Sequence, residues 1–176
     1  VNMTGQHSVA NALATIVAAE HVGVSIEVAC EALSNFGGVK RRMELLDTVN
    51  GIEVYDDFAH HPTAIDTTLE GARKRLGERK LWAIIEPRSN TMRMGSHKVG
   101  LAHSARLADE VIWYQPEGLD WDLQPVIDAS PNKAVVARSL DDIIQTVVAE
   151  AGEGDAVVIM SNGGFGGLHQ KLLTAL

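Results

Sequence analysis

The sequence predicts an α/β fold: a mostly parallel sheet with helices on both faces, preceded by an N-terminal helical hairpin. Three observations carry this expectation. After residue 38, short apolar runs of strand length alternate with longer helix-patterned segments, the arrangement of βαβ units. Right-handed crossovers between such strands put helices on both faces of the sheet. Before residue 38 the pattern is helical only, and Gly37-Gly38 separates the two grammars.

Val9 to His21 is rich in Ala, Leu, Ile and Val and reads as a helix, with Ser8 as its N-cap and Gly23 ending it. Ser25 caps a second helix from Ile26 to about Phe36. Asn50-Gly51 is a hairpin signal between Glu44–Val49 and the alternating run Ile52–Phe58. Pro62 suits the first turn of a helix reaching about Leu76. Leu81 to Glu86 is a short apolar strand. A polar loop from Pro87 to Ser96 leads to a helix from about Lys98 to Leu107, and Val111–Tyr114 is the next strand. Gln115 to Asn132, with three prolines, reads as irregular. Ala134–Ala137 is a strand, Leu140–Glu150 a helix with Asp141 and Asp142 in its first turn, and Ala156–Met160 a strand. The glycine-rich run Ser161–Gly167 then opens a last helix to about Ala175.

Composition bounds the function. The chain has 176 residues, enough for one large domain with an appendage. Its net charge is −8, which leans away from nucleic-acid binding. The charge is uneven: residues 40–98 hold 11 of the 15 Lys and Arg, so an anionic ligand belongs there. The single cysteine, Cys30, permits no internal disulfide; it reads as a small core residue and fits the reducing cytoplasm. No apolar run reaches the roughly 18 residues of a membrane span, and no signal peptide is visible. The chain begins on Val1, close to a helix, which suggests a start inside a longer protein.

Ligands of such sheets bind beyond the carboxyl ends of the strands. Five motifs lie at or near such places. Asp56-Asp57-Phe58-Ala59-His60-His61-Pro62 joins a strand to a helix and packs four titratable groups into six residues. Carboxylates there accept from ligand hydroxyls, and a neutral imidazole takes a proton from an ammonium or donates to a carboxylate. The histidines lack a third metal ligand at a suitable spacing, so no metal site is expected. Lys40-Arg41-Arg42 offers guanidinium forks to phosphate, or is a solvated charge run. Glu86 to Gly95 combines Arg88 with Ser89 and Asn90, suited to a carboxylate, or is an ordinary loop. Ser161-Asn162-Gly163-Gly164 lets backbone N–H groups approach an anion, without the Gly-x-Gly-x-x-Gly spacing of a dinucleotide site. Gly5 to Asn11 places His, Ser and Asn at a helix start. No P-loop, Gly-x-Ser-x-Gly or His-Glu-x-x-His motif occurs.

Taken in order, these motifs resemble the Mur ligase family, across nearly the whole chain. Arg88-Ser89-Asn90-Thr91-Met92 and Ser161–Gly167 resemble the branch that adds a preformed tripeptide. The resemblance implies residues 1–37 as the helical tail of a central ATPase domain and residues 38–176 as a C-terminal Rossmann-like ligase domain. It implies a cytoplasmic, ATP-dependent ligase of peptidoglycan recycling. Such an enzyme joins UDP-N-acetylmuramate to L-alanyl-γ-D-glutamyl-meso-diaminopimelate through an acyl phosphate. ATP and Mg²⁺ are implied as cofactors, held mainly by upstream domains of the same full-length chain, so the fragment alone should be inactive and carries no catalytic residue. By the same resemblance Asn11 reads adenine, Arg42 reaches the ATP phosphates and Asp57 holds the ribose hydroxyls. His60 meets the incoming amine substrate, Arg88 with Ser89 and Asn90 meets its carboxylate, and Ser161, Asn162 and Gly163 touch the same ligand. The alternatives are an L-alanine-adding relative and a stand-alone nucleotide- or peptide-binding module.

Overall fold

The computed structural model describes residues 6–87, 98–115, 117–118 and 121–176. Two helices come first, α1 (Gln6–His21) and α2 (Ile26–Ser34). There follow β1 (Glu44–Val49), β2 (Ile52–Asp57), α3 (Pro62–Leu76), β3 (Leu81–Ile85), α4 (Lys98–Ser104), β4 (Glu110–Tyr114), α5 (Gln124–Asp128), β5 (Lys133–Ala137), α6 (Leu140–Glu150) and β6 (Ala156–Met160). A turn at Phe165–Gly167 precedes α7 (Leu168–Ala175).

One six-stranded sheet has the order β1-β2-β6-β3-β4-β5. β1 pairs antiparallel with β2, and the other pairings are parallel. Asn50 and Gly51 both take positive φ at the β1–β2 turn, the geometry that matches strand twist in a two-residue hairpin. A side chain at Gly51 would be strained by its positive φ, and an added Cβ would lie 2.6 Å from Glu153 Cγ. β3 and β6 are buried along their whole length, which explains their unbroken apolar runs.

Two apolar layers cover the sheet. On one face Ile65, Leu69 and Ala72 of α3 and Leu101 of α4 pack on Tyr55, Ala83, Ile85 and Val158. On the other, Ile143 and Val147 of α6, Phe165, and Leu168 and Leu172 of α7 pack on Val54, Trp82, Ile84 and Ile159. α3 thus leaves β2 toward one face, and α7 leaves the adjacent β6 toward the other. Diverging connections from neighbouring parallel strands open a crevice at their carboxyl ends.

Several expectations are corrected. α1 begins at Gln6, so Ser8 lies inside the first turn and is not the N-cap. First-turn N–H groups have no intrahelical acceptor, so a polar residue is tolerated there. Cys30 is exposed rather than a core residue, because only Ala29 of α2 is buried. The stretch 115–132 contains α5, with Pro125 at its start, where a missing N–H is harmless. His61, which the sequence offered as a ligand contact, caps α3: its Nδ1 accepts from Ala64 N. The Pro87–Ser96 loop lies, after Pro87, outside the described residues.

α1 and α2 pack on each other and enclose an apolar groove of about 380 Å³ between Thr15, Val24, Val28 and Phe36. Val9, Leu13 and Val17, one helical stripe at four-residue spacing, are more than half exposed. Among the described residues, no helix is long and apolar enough to cross a membrane.

Candidate functional site

Strand alternation separates the paired carboxylates. Asp57 turns toward α3 and Asp56 toward α7. Asp57 is only 2% exposed. Its Oδ1 accepts from Ala59 N (2.8 Å) and Thr68 Oγ1 (3.1 Å), and its Oδ2 accepts from Met43 N (2.8 Å). Burial pushes its pKa up, against the lowering pull of these donors and of Arg42. Asp57 therefore ties the end of β2, the middle of α3 and the 41–43 segment together.

That segment is an arch held under backbone strain. Arg41 and Met43 take φ values of 58° and 49°, in the left-handed region that disfavours side chains. Bonds on both sides hold it there. Phe58 N donates to Arg41 O (2.9 Å), and Arg41 N donates to Glu44 Oε2 (2.7 Å). Such strain persists where the surroundings over-determine it, often at functional sites.

The three basic residues of the arch divide. Lys40 is exposed. Arg41 is structural: its Nη2 donates to the carbonyls of Ser161 (2.6 Å) and Gly163 (2.9 Å), and its Nε to Asp56 Oδ2 (3.1 Å). Arg42 is exposed, its guanidinium 5.7 Å from the centroid of the Phe58 ring. Among the described residues Arg42 forms no ion pair. One guanidinium locks the site and the next is available to a ligand.

Asp56 also contacts α7: His169 Nε2 lies 3.1 Å from its Oδ1, an ion pair when the ring is doubly protonated. Burial alone would raise the Asp56 pKa, but His169 and then Arg41 outweigh it and hold the carboxyl below its ordinary value. The sign follows by linkage. A lowered folded-state pKa gives stability that is present above the unfolded value of about 4 and is lost as pH falls through the folded value. Asp57 runs the other way: its raised pKa gives stability below that value, lost as pH rises. Asp56→Asn should therefore be less stable than the parent at pH 6 and should lose less stability between pH 4 and pH 2. Urea unfolding at stepped pH checks this; parallel curves for the two chains would refute it.

His60 is half-buried, and its Nδ1 lies 2.8 Å from Phe58 O. A carbonyl only accepts, so the contact fits a proton on Nδ1. His60 and His61 rings meet edge to face at 5.4 Å. Ser161 N donates to Asp57 O (3.1 Å), which fixes the Ser161–Gly163 turn beside β2. Ser161 is buried, Asn162 and Gly163 half-buried. Ser161 Oγ donates to Glu86 Oε2 and accepts from Gly163 N (2.9 Å). Beyond it Phe165, Gly166 and Gly167 take consecutive positive φ values. At Gly166 a Cβ would lie 2.7 Å from Leu140 Cδ1, so glycine serves close packing there.

The structure thus brings Arg42, Asp57, His60 and Ser161–Gly163 to one carboxyl edge of the sheet. Asn11 is not joined to them: it is an exposed residue of α1, and among the described residues no bond links its side chain to residues 38–176. Arg88, Ser89 and Asn90 lie outside the described residues. Among the described residues no three His, Cys, Asp or Glu side chains converge as a metal-ligand set. Sequence reasoning placed Arg41, Asp56 and Glu86 inside its motifs without separating their roles, and it passed over Thr68 and His169. Strand alternation after Ile52 was the available signal for Asp56; the others depend on long-range contacts.

The geometry can now be set beside known proteins. A family model described as the Mur ligase glutamate ligase domain matches residues 41–163. A UDP-N-acetylmuramate–L-alanyl-γ-D-glutamyl-meso-2,6-diaminoheptandioate ligase from Haemophilus influenzae is 47% identical over 99% of the chain. The chain spans 39% of that relative's length. A UDP-N-acetylmuramate–L-alanine ligase from Saccharopolyspora erythraea is 38% identical over 71% of the chain and 25% of its own length. The crystal structure of a murein peptide ligase from Psychrobacter arcticus is 58% identical, with a TM-score of 0.78, covering 99% of this chain and 38% of that one.

Proposed function

The chain belongs to the Mur ligase family, and on that premise we propose that it is the C-terminal part of a cytoplasmic, ATP-dependent ligase of peptidoglycan recycling. That ligase joins UDP-N-acetylmuramate to the tripeptide L-alanyl-γ-D-glutamyl-meso-diaminopimelate. The observation that carries the reading is the 47% identity to the tripeptide-adding relative along 99% of the chain. The L-alanine-adding relative matches at 38% over 71%.

Residues 38–176 form the Rossmann-like ligase domain in this reading, and residues 1–37 the helical tail of the central ATPase domain. Two features support the division. The family match begins at residue 41, and α1 presents an exposed apolar stripe of the kind a neighbouring domain covers. The reaction runs in two steps. The γ-phosphoryl group of ATP passes to the sugar carboxylate, and ADP leaves. The tripeptide amine then attacks the acyl carbon, phosphate leaves and the amine gives up a proton. Mg²⁺, with its ligands upstream, neutralises charge on the phosphates.

This chain's residues bind and orient. Arg42 reaches the phosphates, supported by its exposure beside Phe58. Asp57 holds the ribose and Asn11 the adenine. His60 meets the amine substrate. Arg88, Ser89 and Asn90 take a tripeptide carboxylate, and Ser161, Asn162 and Gly163 touch the same ligand. The test is product formation by the full-length protein with ATP, Mg²⁺ and UDP-N-acetylmuramate. Tripeptide should give ADP, phosphate and the UDP-linked tripeptide by mass spectrometry, and L-alanine should give no product. Equal turnover of L-alanine would overturn the tripeptide reading.

A further inference from the structure

We propose that Glu86 is the receptor for an ammonium group of the amine substrate, an inference that rests on the ligase reading above. The sheet register places it. Met160, Ile85 and Trp113 form a row across β6, β3 and β4. The next residues along, Ser161, Glu86 and Tyr114, are polar and turn to the opposite face, where Tyr114 meets Phe165 at 5.3 Å between rings. The row below on that face is Ile159, Ile84 and Ile112, wholly apolar and buried. Glu86 thus stands at the centre of the carboxyl edge, where the apolar layer ends and the crevice begins.

Its surroundings are incomplete for a carboxylate. Glu86 is 6% exposed. Its Oε2 accepts from the Ser161 hydroxyl, a neutral donor, while its Oε1 accepts no hydrogen bond and no cation pairs with it among the described residues. Burying a carboxylate is costly unless it is paired and hydrogen-bonded. Among the described residues the neighbouring guanidinium is committed elsewhere: Arg41 goes to Asp56 and to the carbonyls of Ser161 and Gly163. The charge of Glu86 bears on Tyr114, whose pKa is raised by burial and then by Glu86 and Glu117. A ligand ammonium supplies what the site lacks, a cation with several donors beside a largely buried carboxylate.

The tripeptide has two free amines, on the alanyl residue and on the distal carbon of diaminopimelate, and the same chemistry suits either. The experiment uses the full-length protein with UDP-N-acetylmuramate and a non-hydrolysable ATP analogue. Calorimetry compares the tripeptide, an analogue with propionyl in place of alanyl, and an analogue with 2-aminopimelate in place of diaminopimelate. The parent protein should bind one des-amino analogue at least tenfold more weakly than the tripeptide, and that analogue identifies the amine. Glu86→Gln keeps an acceptor for Ser161. It should bind the tripeptide about tenfold more weakly and lose the preference for the amine. The preference is a ratio within one variant, so partial unfolding does not mimic its loss. An equal weakening of all three peptides, or no change in any, overturns the role of Glu86. A parent protein that binds no tripeptide overturns the ligase reading and this inference with it.

Discussion

Arg42→Ala in the full-length protein should lower ligase turnover by about 10²–10³, the loss that follows removal of one preorganised donor to developing charge. Its unfolding midpoint should not move. Arg42 is exposed and forms no ion pair among the described residues, so the fold has little to lose. Arg41→Ala should do the reverse to stability. It removes donors from the carbonyls of Ser161 and Gly163 and unpairs Asp56, a cost of about 1–3 kcal/mol given a side chain 31% exposed. Stability and steady-state turnover are measured on both variants. If Arg42→Ala is destabilised while its ATP kinetics match the parent, Arg42 is part of the scaffold and its proposed phosphate role fails. Arg42→Lys sharpens the test, because a point charge without a fork restores only part of a bidentate phosphate contact.

The contrast between these neighbours shows what a sequence can and cannot give. The existence of most elements, α5 excepted, was legible because it is local: strand-length apolar runs, the Asn50-Gly51 turn and Pro62 each act within a few residues. The limits of α6 and β6 were legible to the residue, one with Asp141 and Asp142 in its first turn, the other from a continuous apolar run. The division of labour within Lys40-Arg41-Arg42 was not. It depends on Arg41 spanning more than a hundred residues of sequence to the Ser161–Gly163 turn. Glu86 was hidden for the same reason. Its meaning comes from a polar row formed by three strands whose register no local pattern states. Cys30 misled because residue type reports average burial, while α2 has one buried position, the adjacent Ala29.

Asp57 sets the second large effect, and its burial makes the expectation sharp. A carboxylate offers about four acceptor positions, and three are taken by Ala59 N, Thr68 Oγ1 and Met43 N. The vacant position is on Oδ2, the oxygen that holds the strained arch through Met43. A ribose hydroxyl donating there would share Oδ2 with Met43 N, and Arg42 sits on that arch beside Met43. Nucleotide binding at Asp57 would thereby bear on the segment that carries Arg42, the residue proposed for the phosphates. Asp57→Ala should destabilise the chain by about 3 kcal/mol or more, since three donors lose their acceptor at about 1–3 kcal/mol each. That loss alone does not establish a ribose contact, so the decisive variant is Asp57→Asn assayed with two nucleotides. The parent full-length protein should prefer ATP to 2′-deoxy-ATP or 3′-deoxy-ATP by about tenfold, and Asp57→Asn should use ATP and the disfavoured analogue alike. A preserved preference in Asp57→Asn, with stability reduced, would make Asp57 a structural tie between β2, α3 and the arch and would remove it from the nucleotide site.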